Sequence, residues 1–497
     1  MAVPVGALWP CRLAGGGAPG LSSLTRVSTL HTIVGPVTTE GRGQEPDRAG
    51  AVTPKSAMAL GGVRILDFTR LGFGAQATLI CGCLGAEVIR VESTRHPDAI
   101  RVMPPFVPDP GERGEGFGAA TLANAAGAAS ANRGGIFYKY NTGGKRSITL
   151  DARHPKGLAL LKDLVSVSDV VTESFAAGTF ARWGLGYDVL KEIKPDIIYV
   201  SMCGFGHSGP DVSHVTMGPT AQALTGLTFM VGLPDRPPAG WSFSYLDHVG
   251  GYLGAVAILT GLLHRRRTGE GQHLDVSQLE PATALSGALL LDSMLNARPS
   301  RRPGFPTGNR RLHPATAPGG AYRAAGIDNW VVISCTTEEQ WAALVGVIDR
   351  TDEPGWTGRP RWTADPRFAT LAGRVEHADA LDRLLETWTS PRDRYEIMDT
   401  LQGAGVPAGV VQDAADRLER DPQLAARGHF TALGNAEVGP LPLEGVPFRM
   451  SATPPDTGGF LHRGPPLLGG DTGAVLEELL GMTPEDVEAL AADGVLS

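Results

Sequence analysis

Asp247 is the residue from which chemistry can be read. It ends the polar, aromatic run Gly240-Trp241-Ser242-Phe243-Ser244-Tyr245-Leu246-Asp247, and an apolar stretch over 249–267 that predicts a long helix follows it. The unpaired backbone N–H groups and the dipole of a helix N-terminus favour an anion. A carboxylate in that place is either a helix cap or a nucleophile, and at this point both stand. Rival chemistries have weaker support. A Ser-His-Asp hydrolase wants a GxSxG elbow, and His207-Ser208-Gly209 supplies only half of one. His207 and His214 lie in a Gly/Pro-rich loop with no third ligand near them, so no metal site is expected. Gly72-x-Gly74-x-x-Ala77 follows a predicted strand and Glu92 comes about 20 residues later, which approaches the dinucleotide fingerprint. By itself that short match is weak, and an NAD-dependent oxidoreductase built on it stands only as an alternative. Lys145-Arg146 has the chemistry to grip a phosphate; the ordinary alternative is a solvated basic pair.

The elements that must position Asp247 alternate. Strands are predicted at 63–68, 87–92, 169–173, 196–204 and 273–277, with helices at 75–84, 155–167, 249–267 and 278–295. That order implies a parallel, Rossmann-like sheet, an α/β fold in which ligands bind at the carboxyl ends of the strands. A Pro-rich change of character over 298–318 marks a boundary. A smaller α/β domain is expected at 304–410, after a large domain at 58–303, with 411–497 returning to the large one. Residues 1–57, with no acidic residue before Glu40, are expected to be an extension outside the fold: a disordered tail or a mis-set start, with transit-peptide character as the alternative. The Gly/Ala/Pro-rich stretch 101–133 reads as a long loop of the kind that serves as a lid or functional segment.

Composition narrows the partners. With a net charge of -8 the chain lacks the basic face that nucleic acid requires. The apolar run 252–263 is too short for a membrane span and stops at His264-Arg265-Arg266-Arg267, so a buried core helix and no membrane are expected. Cys11, Cys81, Cys83, Cys203 and Cys335 are odd in number and form no CxxC pair, which suits the cytoplasm better than a disulfide framework.

The order of short segments adds a resemblance. Ile65-Leu66-Asp67-Phe68-Thr69, Leu84-Gly85-Ala86-Glu87-Val88-Ile89-Arg90-Val91-Glu92 and Lys145-Arg146-Ser147-Ile148-Thr149-Leu150-Asp151 come first. Glu173-Ser174-Phe175, Arg182-Trp183-Gly184-Leu185-Gly186, Arg267-Thr268-Gly269-Glu270-Gly271-Gln272 and Pro466-Leu467-Leu468-Gly469 follow. Across residues 60–495 the chain resembles the family III CoA-transferases, the group of formyl-CoA transferase and the carnitine CoA-transferases. The resemblance implies an interlinked homodimer and no permanently bound cofactor, with a coenzyme A thioester as substrate. It makes Asp247 the catalytic aspartate, which would carry mixed anhydrides and an aspartyl-CoA thioester between a donor acyl-CoA and a carboxylic acid acceptor. The setting of Asp247 looks most like members that take CoA from succinyl-CoA. CoA contacts carried over by position are Arg70, Leu71, Phe73, Ser93, Leu150, Ala152, Arg153, Ser174 and Arg182. The His and Gln of the first loop in formyl-CoA transferase are replaced here, Ser174 stands for the Asn of Glu-Asn-Phe, and 318–322 is at best a shortened glycine loop. Formyl-CoA and oxalate are therefore poor candidates. Acyl-CoA racemases resemble the same family but use a His about 30 residues before the aspartate. Met217 aligns there and cannot shuttle a proton; His214, close by, keeps that alternative open.

Overall fold

The computed structural model describes residues 58–107, 130–234, 236–240, 245–299, 301–311, 314–351 and 361–497. The expectations for 1–57, and for most of the long loop before 133, lie outside the described residues. So does the stretch 241–244 just ahead of Asp247.

Six strands form one parallel sheet: β1 (Arg64–Phe68), β2 (Glu87–Glu92), β3 (Arg146–Thr149), β4 (Val170–Glu173), β5 (Ile198–Cys203) and β6 (Gln272–Ser277). Their order is β3-β2-β1-β4-β5-β6. Both faces are covered, as a parallel sheet requires. Alternation along β1 sends Leu66 and Phe68 into one core, with Leu161, Leu164 and Val475, and Ile65 into the other, with Phe73, Ala77 and Ile258. The second core holds the helix Phe73–Cys83, buried at every residue, against the long helix Tyr245–Thr268.

Three glycines let the long helix close onto the helix Phe73–Cys83 and onto β5. A Cβ on Gly250 would fall 2.6 Å from the Phe73 ring, one on Gly251 2.5 Å from Gln76, and one on Gly254 2.9 Å from the Met202 sulfur. The long helix departs from expectation in two ways. It starts at Tyr245, so Asp247 lies within its first turn rather than ahead of it. It is also not wholly buried: Tyr252, Leu253, Val256, Leu259 and Leu263 are exposed on one side. By length and composition it is apolar enough to cross a membrane, which the shorter run read from the sequence did not indicate.

The basic pair Lys145-Arg146 is neither solvated nor placed to grip a phosphate. Lys145 is fully buried and donates to the carbonyls of Ala75 (2.9 Å) and Tyr140 (3.2 Å) and to Thr78 Oγ1 (2.9 Å). Burial lowers its pKa to about 8, even with Asp67 3.6 Å away. Arg146 pairs with Glu87 and Glu478.

Residues 317–406 carry a separate apolar core around Trp341, Phe368 and Trp388. It packs on an antiparallel sheet of β7 (Gly319–Arg323), β8 (Trp330–Ser334) and β9 (Ala408–Val410). A two-stranded pair, β10 (Phe430–Leu433) with β11 (Leu441–Glu444), follows. The segment 471–495 then runs along β3, one of the two edge strands. Ser147 N–H donates to Asp471 (2.8 Å), Thr149 N–H to Thr472 Oγ1 (3.1 Å) and Asp151 N–H to the Val495 carbonyl (2.9 Å). Backbone groups that an edge strand leaves open are thus taken up by the end of the chain.

Candidate active site

Strand order reverses between β1 and β4, and ligands bind at such a crevice in open α/β sheets. Loop 69–72 rises there and is held from both sides. Arg70 N–H donates to Ser174 Oγ (2.8 Å), and Leu71 N–H donates to the Asp98 carboxylate (3.1 Å). Leu71 has φ 60°, a left-handed conformation that costs a residue with a side chain about 1–3 kcal/mol and marks a loop fixed by its surroundings. Below it, Asp67 is fully buried and accepts from Thr69, Thr78 and Thr172 at 2.6–2.9 Å, tying β1 to β4 and to the helix Phe73–Cys83.

The next residue of the loop is Gly72, and Asp247 rests directly on it. A Cβ at Gly72 would lie 2.5 Å from Asp247 Oδ2. On the other side Gln278 Nε2 donates to Asp247 Oδ1 at 2.6 Å. Tyr140 stacks on His248, ring centroids 5.4 Å apart, with its hydroxyl 3.3 Å from His248 Nε2. Burial and then the charge of Asp247 raise the Tyr140 phenol; burial and then Lys139 lower His248 to about 4. At neutral pH the pair is therefore a protonated phenol beside a neutral imidazole.

Two cavities open on this crevice. The first, about 390 Å³, is lined by Arg70, Ser93, Leu150, Ala152 and Arg153, with Phe175 and Trp183. The second, about 250 Å³, is lined by Arg70, Leu71, Phe73, Ser174 and Asp247, with Phe175, Met217 and Gln278. Arg70 and Phe175 belong to both, so the two are adjacent. Nine of the ten residues singled out from the sequence thus line one cavity or the other. Arg182 does not: it is exposed on a short helix and donates to Thr179 Oγ1 at 2.9 Å, while its neighbour Trp183 faces the first cavity. His214 and Met217 both line the second cavity.

The glycines of the GxGxxA match serve packing. Gly72 meets Asp247 and a Cβ on Gly74 would fall 2.4 Å from Thr69. Glu92, which would bind a ribose in that reading, is engaged with Arg101 (2.6 Å) and Arg90 (3.4 Å). Its burial raises the pKa, but the two guanidiniums outweigh it and hold the carboxyl at about 2.

Residues the sequence reading did not single out are Gly72 as a contact of Asp247, Tyr140, Phe175, Trp183 and Gln278. Phe175 is fixed by a buried acid. Its N–H donates to Glu173 at 2.6 Å; Tyr199 OH donates to the same carboxyl at 2.9 Å, and His207 Nε2 stands 3.3 Å away. Burial pushes Glu173 up to about 7 despite those two donors.

The model of CoA-transferase family III matches residues 60–472. The chain belongs to that family. It is 32% identical over 352 residues to the succinyl-CoA–D-citramalate CoA-transferase of Chloroflexus aurantiacus, covering 71% of this chain and 82% of that one. It is 32% identical over 445 residues to the probable CoA-transferase Rv1866 of Mycobacterium tuberculosis, covering 88% of this chain; the chain spans half the length of that relative. Among solved structures, a CAIB/BAIF family protein from Brucella suis superposes with a TM-score of 0.71 at 29% identity, over 85% of this chain and 99% of the other.

Proposed function

We propose that this family III member moves CoA from a donor acyl-CoA to a carboxylic acid through covalent chemistry on Asp247. The observation that carries the reading is the adjacency of the two cavities, which share Arg70 and Phe175, with the Asp247 carboxylate in the wall of the inner one. The outer cavity, with Arg70 and Arg153 in its lining, would take part of the CoA carrier, and its thioester would then reach Asp247. The carboxylate attacks the thioester, giving an acyl-aspartyl anhydride and CoA thiolate. The thiolate attacks the aspartyl carbonyl, giving an enzyme–CoA thioester and the donor acid; the acceptor acid then reverses the sequence. No metal is required, because every step exchanges one activated acyl bond for another. Positioning and oxyanion stabilisation are the enzyme's contribution. Succinyl-CoA is the donor to test first, because the C. aurantiacus relative is named for its use.

A homodimer belongs to the same reading. Leu290, Leu291, Met294 and Leu295, each more than half exposed, add to the exposed side of the long helix and form apolar surface that a second copy would cover. The division at 58–303, 304–410 and 411–497, and a cytoplasmic location, are read in the same way from the separate core of 317–406 and from the free thiols of Cys81, Cys83, Cys203 and Cys335.

The test is to incubate the protein with an acyl-CoA panel, trap with hydroxylamine or borohydride, and map the adduct by mass spectrometry. An adduct on Asp247 with a productive donor is expected. Turnover with no such adduct, or transfer retained in Asp247→Ala, would overturn the reading. Exchange of an α-proton without an acceptor acid would point to a racemase instead.

A further inference from the structure

A carboxylate has no proton to give, so the group 2.6 Å from Asp247 Oδ1 is the NH2 end of the Gln278 amide. Gln278 is 5% exposed, and its backbone is pinned where β6 ends. Its own N–H donates to the carbonyls of Cys203 (3.0 Å) and Gly204 (3.1 Å) at the end of β5. Two strand ends therefore aim this amide. An oxyanion donor needs that kind of support, because its benefit depends on being in place before charge develops.

On the reading of Asp247 as nucleophile, we infer that Gln278 is a catalytic residue, the oxyanion donor for the two steps that take place at the aspartyl carbon. Oδ2 attacks the thioester carbonyl, the C–S bond breaks, and CoA leaves as thiolate. Oδ1 is now the carbonyl oxygen of the aspartyl half of the anhydride. The thiolate adds to the aspartyl carbon; a C–S bond forms and the carbonyl pair moves onto Oδ1. The pair returns as the bond to Oδ2 breaks, and the donor acid departs as a carboxylate carrying Oδ2. One negative charge enters as thiolate and one leaves as carboxylate. When the acceptor carboxylate adds to the enzyme–CoA thioester, Oδ1 takes the charge again.

Gln278 Nε2 lies within hydrogen-bond reach of that oxygen from the start. In the first and last steps the charge develops on the substrate's own carbonyl oxygen, a different atom. The four chemical steps thus divide into two that Gln278 assists and two that it does not.

Gln278→Met keeps the length and volume of the side chain and removes the donor; Gln278→Leu is a second variant should the first fold poorly. Rapid-quench mass spectrometry with succinyl-CoA would follow the acylated and CoA-bearing forms of Asp247. The expected result is formation of the enzyme–CoA thioester slowed about 10²–10³-fold, the range for loss of one oxyanion donor. KM should stay within twofold and the acyl-aspartyl form should gain weight relative to the CoA form. A residue that only supports the fold would change KM and melting temperature together and leave that ratio alone. Thioester formation at the wild-type rate in a folded variant overturns the inference. Transfer retained by Asp247→Ala would instead remove the reading beneath it, so the two failures are distinct.

Discussion

The two cavities share Arg70 and Phe175 but are arranged differently. Both have largely apolar walls, and the difference lies in where the polar groups stand. The outer one sets Phe68, Val91, Leu150, Phe175 and Trp183 beneath a rim where Arg95 and Arg153 pair with Asp151. The inner one holds Asp247 and Gln278 among Leu71, Phe73, Ile100, Ile136, Met202 and Met217. Charges at a rim suit a carrier that must be held and released. A carboxylate set among apolar side chains makes stronger electrostatic contacts, which favours chemistry on it and on a thiolate. Gripping and reacting are thus assigned to different walls of one crevice.

Substitutions can break that division. Asp247→Ala should lower kcat by about 10⁴-fold or more, as removal of a covalent nucleophile does, with an unchanged melting temperature; steady-state assays with a donor and an acceptor acid measure it. Gly72→Ala comes next. The added methyl displaces Oδ2, and a misplacement of this order costs about 10²-fold in kcat while KM for the acyl-CoA holds. Were KM to rise in its place, the inner wall would be gripping the carrier and the contrast would fail. Arg153→Ala touches only the outer wall and should raise KM for the acyl-CoA about 3–10-fold with kcat preserved. Because that side chain is exposed, the difference from wild type should shrink as salt is added.

The smallest expected effect concerns the support beneath Phe175. Glu173 has a folded pKa of about 7, raised from 4.5 by burial. Its proton therefore stabilises the fold fully below about pH 4.5, and that contribution is lost as pH rises through about 7. Glu173→Gln should flatten the fall in melting temperature over this range, as thermal melts at half-unit pH steps would show.

The parallel sheet was legible because its strands are short apolar runs between turn residues, and β2 (Glu87–Glu92) was read to the residue. The order of family-like segments picked out residues that line the two cavities, but a matching position does not fix where a side chain goes: Arg182, on a short exposed helix, lines neither. The start of the long helix was misplaced because Tyr245-Leu246 belongs by composition to the polar run ahead of it. Burial of Lys145 left no local mark: a basic pair after two glycines looks solvated until Thr78 and the Ala75 carbonyl are brought over it. Gln278 is 31 residues from Asp247 in sequence. Only the placement of β6 beside β5 makes them neighbours, and no periodicity reports that.

The clasp of the C-terminal segment on β3 has a consequence for synthesis. The sheet begins with β1 near residue 64, yet the partners of Ser147, Thr149 and Asp151 are Asp471, Thr472 and Val495. Ser147 and its partner Asp471 are 324 residues apart, so β3 leaves the ribosome long before the segment that covers it. The nascent chain therefore carries an open sheet edge until residues 471–495 have been made, beside the strand end that leads into Leu150–Arg153 of the outer cavity. A chain stopped short of residue 471 would hold every residue of the crevice with its border unsealed.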